Sequence, residues 1–170
     1  MSSIARFAAA TLAATTLFAL APEASAEQVQ FLAAHTAPNI CQPALPAYEG
    51  QIRKRPLAVQ NEGDATAFIT CSFNAGGAPT LAHLYPGSVD GQEHSVTCTA
   101  VSGYATGNPV YRTKTVTVGP TDEPVSMFWV PSDFDETEAF PSLYFSASCS
   151  LPPGTALYDG DLAWFMEIGA

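Results

Sequence analysis

The sequence is poor in basic residues and in charge of either sign. Lys and Arg number 6 against 16 Asp and Glu, which gives a formal net charge of −10, and only 13% of the residues are charged. Proteins that bind nucleic acid by counterion release, or anionic membrane surfaces by attraction, need an excess of positive charge. We therefore exclude nucleic acid and anionic membrane surfaces as partners.

Long apolar runs are also scarce. A mostly apolar stretch over 7–20 follows a short basic start and precedes Ala24 and Ala26. Such a run is too short to span a bilayer comfortably, and the small residues after it are typical of a signal peptidase site. We predict that 1–26 is a secretory signal peptide and that the mature chain begins at Glu27. The protein is then secreted or periplasmic, without membrane insertion.

The motifs that carry most zinc, thiol and serine chemistry are missing. The sequence has no Cys-x-x-Cys, no His-Glu-x-x-His and no Gly-x-Ser-x-Gly. His35, His83 and His94 are too far apart for a helical His pair, and we interpret His83 as a hydrogen-bonded histidine within a sheet. Pairs of carboxylates suited to glycoside hydrolysis arise by chance in so acidic a chain. The sequence thus predicts no catalytic residue and no cofactor-binding residue.

Four cysteines are present, and their even number in an exported chain favours two disulfides among three connectivities. We predict Cys41–Cys71 and Cys98–Cys149. The first bridge fastens the Pro-rich segment 27–50 to a core strand, and the second joins two runs of alternating polarity.

From Pro56 onward, short runs rich in β-branched and aromatic residues alternate with turns that contain Gly, Pro, Asn or Asp, and no window shows a helical apolar stripe. This pattern predicts an all-β domain. The predicted strands are 57–60, 65–73, 79–85, 94–102, 110–118, 124–130, 142–151 and 161–168.

Within these runs the polarity alternates with period two, which assigns the cysteines to the core. Cys71 shares a strand face with Ile69 and Phe73, while Ser146, Ser148 and Ser150 point away from Cys149. Seven to eight such strands predict a two-layer antiparallel β-sandwich. We expect one domain over 27–170, with 27–50 as an extended lead-in.

The highest density of charge lies in an acidic loop between Pro131 and Pro141. Carboxylates are the ligands that calcium prefers, but the EF-hand pattern fails because its sixth position is Glu138 instead of Gly. The sequence therefore leaves two interpretations, a solvated loop or a calcium site, and predicts no other cofactor. The candidate ligands are Asp133, Asp135, Glu136 and Glu138.

Three further patterns have structural interpretations. Asp159 and Asp161 flank Gly160, which is typical of a hairpin turn. The basic triplet 53–55 resembles the charged edge that blocks strand addition. For the aromatic residues we favour burial in the core, and the alternative is an exposed platform that stacks on sugars; these residues are Trp129, Trp164, Tyr104, Tyr111, Tyr144 and Tyr158.

The cysteine-bearing segments 68–73, 95–100 and 148–154 carry a family resemblance. They resemble small exported bacterial proteins of unassigned function that have a signal peptide, four cysteines and a β-sandwich-like body. The resemblance implies fold and location and assigns no catalytic residue.

We predict from this sequence an exported, non-enzymatic binding or interaction protein. Its extracellular or periplasmic partner is a glycan, a surface component or another protein. The alternative is a small secreted hydrolase that uses carboxylate catalysis, which requires a concave site with converging polar groups.

Overall fold

The computed structural model describes residues 26–104, 106–121 and 123–169. Two antiparallel sheets pack face to face in a β-sandwich, which confirms the predicted fold class. The described residues form eleven strands instead of seven or eight. Apart from Ala26, the predicted signal peptide lies outside the described residues.

Sheet A has six strands, and its longest strand, β11, holds the others together. β11 pairs with β6 on one side. On its other side β11 pairs first with β4 and, further along, with β1. β3 pairs with β4, and β9 pairs with β6. The strands of sheet A are β1 (Glu27–Thr36), β3 (Ile52–Arg55), β4 (Ala58–Asn61), β6 (Pro79–Ser88), β9 (Met127–Trp129) and β11 (Thr155–Ile168).

Sheet B has five strands in the order β2-β5-β10-β7-β8. Its outer face carries rows of Thr and Ser, as the alternation predicts for a face exposed to water. The strands of sheet B are β2 (Cys41–Pro43), β5 (Ala67–Phe73), β7 (His94–Ser102), β8 (Val110–Val118) and β10 (Phe145–Leu151).

Short helical turns complete the described chain. Helix α1 (Ala37–Ile40) links β1 of sheet A to β2 of sheet B, and single 3₁₀ turns lie at Pro46–Tyr48 and Pro131–Phe134. No helix within these described ranges is both long and apolar enough to cross a membrane.

The core lies between the sheets and contains the side chains that the alternation assigned to it. Ile69, Val96 and Leu151 are fully buried, and Trp129 and Phe145 pack their rings 6.0 Å apart at its centre. Trp129 is buried and its neighbour Phe128 is exposed, as period-two alternation requires. At about 25 cal/mol per Å² of buried apolar surface, this core supplies most of the driving force for folding.

Both predicted disulfides are confirmed, Cys41–Cys71 and Cys98–Cys149. In each bridge the two cysteines are direct partners in the register of sheet B. The bridges therefore join neighbouring strands within one sheet and leave sheet A without a cross-link. Disulfides of this kind are typical of chains that fold in an oxidising compartment.

The segment 27–50, which the sequence predicts as an extended lead-in, contributes β1 to sheet A and β2 to sheet B. One expectation about local structure is wrong. The predicted hairpin turn at Asp159 to Asp161 lies inside β11, which continues through it with a register shift between Leu157 and Gly160. The Gly there serves close packing: a Cβ on Gly160 would meet Phe73 at 2.7 Å.

Candidate functional site

The outer face of sheet A carries a groove made of three neighbouring cavities, which we call the sheet A groove. Side chains on β6 alternate, so that Ala82 and Leu84 enter the core while Leu81, His83 and Tyr85 face outward. The same alternation on β11 turns Asp161 outward between Gly160 and Leu162. The groove is therefore a direct product of the strand pattern.

The first and second cavities adjoin because both are lined by Tyr85 and Asp161. The first has a volume of about 490 Å³, and its other lining residues are Ala34, His35, Thr36, Pro124 and Asp159. The second has a volume of about 390 Å³, and its other lining residues are Gln30, Leu32, Leu81, His83 and Ala163.

The third cavity continues the groove along β1 and β11. Its volume is about 430 Å³. It neighbours the second cavity because Phe165, which lines the third, is the register partner of Gln30, which lines the second. From Thr36 to Gln28 the groove follows nine residues of β1, whose eight steps at about 3.4 Å each span roughly 27 Å. The residues that line the third cavity are Gln28, Ala78, Thr80, Glu138, Ala139 and Phe165.

A hydrogen-bonded network of three side chains lies where the first two cavities meet. The Tyr85 hydroxyl donates to Asp161 Oδ2 at 3.1 Å and lies 3.0 Å from His83 Nδ1. Since a hydroxyl has one proton, His83 Nδ1–H donates to the hydroxyl oxygen. In the neutral ring Nε2 then remains an acceptor, and it makes no hydrogen bond to any described residue.

The environment of the network shifts its pKa values. Burial lowers the pKa of His83, and Asp161 opposes that effect only in part. Burial raises the pKa of Tyr85, and its hydrogen bond to Asp161 raises it further. Burial also raises the pKa of Asp159, as does the neighbouring charge of Asp161. At neutral pH the groove therefore presents a neutral imidazole and a neutral phenol beside carboxylates.

Apolar surface flanks the network. The Phe128 ring, 46% exposed, meets the His83 ring edge-on with the ring centroids 5.7 Å apart. Leu32 is 64% exposed and Phe165 is 45% exposed. The site thus combines hydrogen-bonding groups that both donate and accept with exposed aromatic and aliphatic surface.

The acidic loop does not gather its carboxylates around a common point. Asp133 Oδ2 accepts hydrogen bonds from Lys114 Nζ at 2.8 Å and from the Val130 N–H at 2.9 Å, while Asp135 is paired with Arg112. Burial works to raise the pKa of Asp133, but the bonds from Lys114 and Val130 outweigh it and lower that pKa.

Calcium binding by Asp133, Asp135, Glu136 and Glu138 stays a prediction. Over residues 26–104, 106–121 and 123–169, no three His, Cys, Asp or Glu side chains are grouped closely enough to hold a metal ion. Of the four candidates, Glu138 contributes to the sheet A groove, where it lines the third cavity.

The other candidates from the sequence lie away from the groove. The basic triplet forms β3, an edge strand of sheet A, as predicted, and Arg55 is paired with Glu62. Trp129 is buried, and Tyr104 and Tyr144 form an exposed edge-to-face pair with centroids 5.3 Å apart. The aromatic residues that line the groove are instead Tyr85 and Phe165, with Phe128 on its flank beside His83, and sequence reasoning selected none of the three.

No protein-family model matches the sequence, and a search of curated proteins finds no significant match. Among solved structures, the fold is similar to TmCBM61 in complex with beta-1,4-galactotriose, with 9% identity, a TM-score of 0.39, and coverage of 81% of this chain and 88% of that one. It is also similar to the family 11 carbohydrate-binding module from Clostridium thermocellum in complex with a beta-1,3-1,4-mixed-linked tetrasaccharide, with 10% identity, a TM-score of 0.40, and coverage of 84% and 89%. At these values neither structure identifies a ligand of this chain.

Proposed function

We propose that this protein is an exported glycan-binding protein and that the sheet A groove is its binding site. The observation that carries the proposal is the Tyr85–His83–Asp161 network at the junction of two cavities on an exposed sheet face. A sugar ring presents hydroxyls that donate and accept, together with apolar C–H faces. The groove offers partners for both, namely Asp161, Gln30 and His83 Nε2 for the hydroxyls, and Phe128 and Leu32 for the C–H faces.

The shape of the groove supports a polymer in preference to a single sugar. Three neighbouring cavities along β1 accommodate successive residues of a chain. A site for one small metabolite is instead usually a single enclosed cleft that buries most of its ligand.

Export of the protein rests on two features. Two disulfides stabilise sheet B, and the apolar run over 7–20 followed by Ala24 and Ala26 is typical of a secretory signal peptide that ends before Glu27. An intact mass of protein from the periplasm or medium that corresponds to a start at Glu27 supports this part of the proposal. Retention of Met1 contradicts it.

The binding test uses a panel of soluble polysaccharides in affinity electrophoresis, followed by calorimetry on those that retard the protein. Tyr85→Phe removes the hydroxyl that orders Asp161 and His83, so we expect about tenfold weaker binding, equivalent to about 1.4 kcal/mol. The matched control is Tyr111→Phe, because Tyr111 is 59% exposed on the outer face of sheet B. Equal loss in both variants, or no retardation by any polysaccharide, refutes the proposal.

A second candidate function, carboxylate hydrolysis, is favoured by one observation. Asp159 and Asp161 line the same cavity, and burial together with the charge of Asp161 raises the pKa of Asp159. A carboxyl with a raised pKa beside a second carboxyl is the arrangement that glycoside hydrolases use. Release of reducing ends from a bound polysaccharide, abolished in Asp159→Asn, supports hydrolysis; binding without release supports the glycan-binding proposal.

A further inference from the structure

The charge of the sheet A groove defines the class of glycan that it takes, an inference that rests on the proposed function. Three carboxylates line the groove, with Asp159 and Asp161 in the first cavity and Glu138 in the third. None of the described residues that line the three cavities is Lys or Arg. The remaining titratable lining groups are His35, His83 and Tyr85.

The basic side chains outside the groove are already engaged. Lys114 lies nearest, with Nζ 5.2 Å from the centroid of the Phe128 ring, and it donates to Asp133 and to the Phe128 carbonyl. Arg112 is paired with Asp135. The triplet on β3 is held by Glu62, the Glu49 carbonyl and the Pro38 carbonyl. Moving one of these cations toward the groove would break existing contacts.

A ligand that carries carboxylate or sulfate groups would meet uncompensated negative charge in this groove. Like charges brought together in a partly buried cavity repel each other, whereas an ammonium group there gains charge-assisted hydrogen bonds to carboxylates. The two Asp side chains of the first cavity are already close enough for Asp161 to influence Asp159, and a cation between them relieves that repulsion. The groove therefore favours cationic over anionic saccharides.

We propose that the sheet A groove selects polysaccharides with free amino groups. The pyranose rings pack against Leu32 and Phe165, which are 64% and 45% exposed, and the ammonium groups bind Asp159 and Asp161.

The test compares three tetrasaccharides that share one β-1,4 backbone and differ only at C2. They are the tetramer of glucosamine, the tetramer of N-acetylglucosamine and cellotetraose. Calorimetry at about pH 6 keeps most of the amino groups protonated, since the peptide α-amino group, a comparable amine, titrates at about 7.7. We expect the glucosamine tetramer to bind at least tenfold more tightly than the other two.

Two controls separate recognition from attraction to an acidic protein. Asp161→Asn should reduce the preference for the glucosamine tetramer to threefold or less, whereas Asp64→Asn, which removes the same charge from an exposed turn, should leave the preference unchanged. Tetralysine should bind at least tenfold more weakly than the glucosamine tetramer.

The outcomes distinguish this inference from the proposed function. Equal affinities for the three tetramers refute amino-sugar selectivity and leave glycan binding standing. Tighter binding of tetralysine than of the glucosamine tetramer, or equal losses in the two Asp variants, also refutes the selectivity. Failure of all three tetramers together with the whole polysaccharide panel refutes both proposals.

Discussion

Replacing Gly160 by Ala tests how the core positions the groove. A Cβ at this position would lie 2.7 and 2.8 Å from two ring atoms of Phe73 and 2.9 Å from Ile40 Cδ1. Phe73 is 3% exposed and packs edge-on against Phe145, so its ring has little room to move. The new methyl group must therefore displace either the ring or β11.

The expected size of the effect follows from two opposing contributions. Overpacking of a core costs about 1–3 kcal/mol. Loss of backbone entropy from the unfolded chain offsets this by about 0.4–1 kcal/mol. The free energy of unfolding should fall by about 1–2 kcal/mol, and the melting temperature by about 2–8 °C for a domain of this size.

The assay is urea denaturation followed by fluorescence, with glycan affinity measured on the same preparations. Gly50→Ala is the matched control, because no atom lies within 4 Å of a Cβ placed there. A double-mutant cycle with Phe73→Leu isolates the clash, since residues in contact couple by about 0.5–3 kcal/mol. The reasoning is refuted if Gly160→Ala is as stable as Gly50→Ala, or if Phe73→Leu gives no relief.

Three further predictions concern stability. Asn61→Ala removes a buried amide that donates to Leu151 O at 2.7 Å and to Ala65 O at 2.8 Å, and that accepts from the Gly63 N–H. At about 1 kcal/mol per hydrogen bond, the free energy of unfolding should fall by about 3 kcal/mol. The exposed control Asn74→Ala should leave the free energy of unfolding unchanged. The hydrogen bond with His94, together with the Gln92 N–H, lowers the pKa of Asp90 to about 2 from 3.8, so its stabilising contribution is present above pH 3.8 and lost as the pH falls through about 2. Asp90→Asn should flatten the melting temperature profile in that window, and an unchanged profile contradicts the assignment. Because Lys114 and Arg112 already pair with Asp133 and Asp135, millimolar calcium should raise the melting temperature no more than sodium chloride of equal ionic strength; a calcium-specific rise that Asp133→Asn with Asp135→Asn abolishes would establish the site.

Many strands of the sandwich and both disulfides are predictable because short sequence patterns encode them. Alternation in β5, β7 and β10 places the cysteines in the core, and a cysteine on a core face has few partners within reach. Three cations in a row on β3 identify an edge strand for the same local reason, since charge there discourages pairing with another chain.

The sequence does not predict the strand β1. Its Gln28 and Gln30 alternate with Val29 and Phe31, but Leu32 and two alanines follow, so the alternation stops after four residues. Its conformation comes from ten consecutive pairings with β11. Gly160 is similar, because a glycine between two Asp residues looks the same in a turn and in a strand that needs space for a ring.

Only part of the candidate site can be predicted from the sequence. His83 and Tyr85 are two residues apart on one strand, so they share a face. Asp161 comes 76 residues after Tyr85, and only the register of β6 against β11 brings them together. Register across such a separation depends on the packing of both sheets, which no short pattern encodes.

The pairing of β1 with β11 has a mechanical consequence. Glu27 lies opposite Ile168, so a force that pulls the two strands apart from that end loads their hydrogen bonds one after another, and they separate at low force. The two disulfides close loops of 30 and 51 residues. While the disulfides are intact, these loops cannot extend, which shortens the stretched chain by roughly 100 and 170 Å at about 3.4 Å per residue. Under tension we therefore expect β1 to separate from β11 first, which opens the groove. The disulfides of sheet B then limit how far the two ends of the chain move apart.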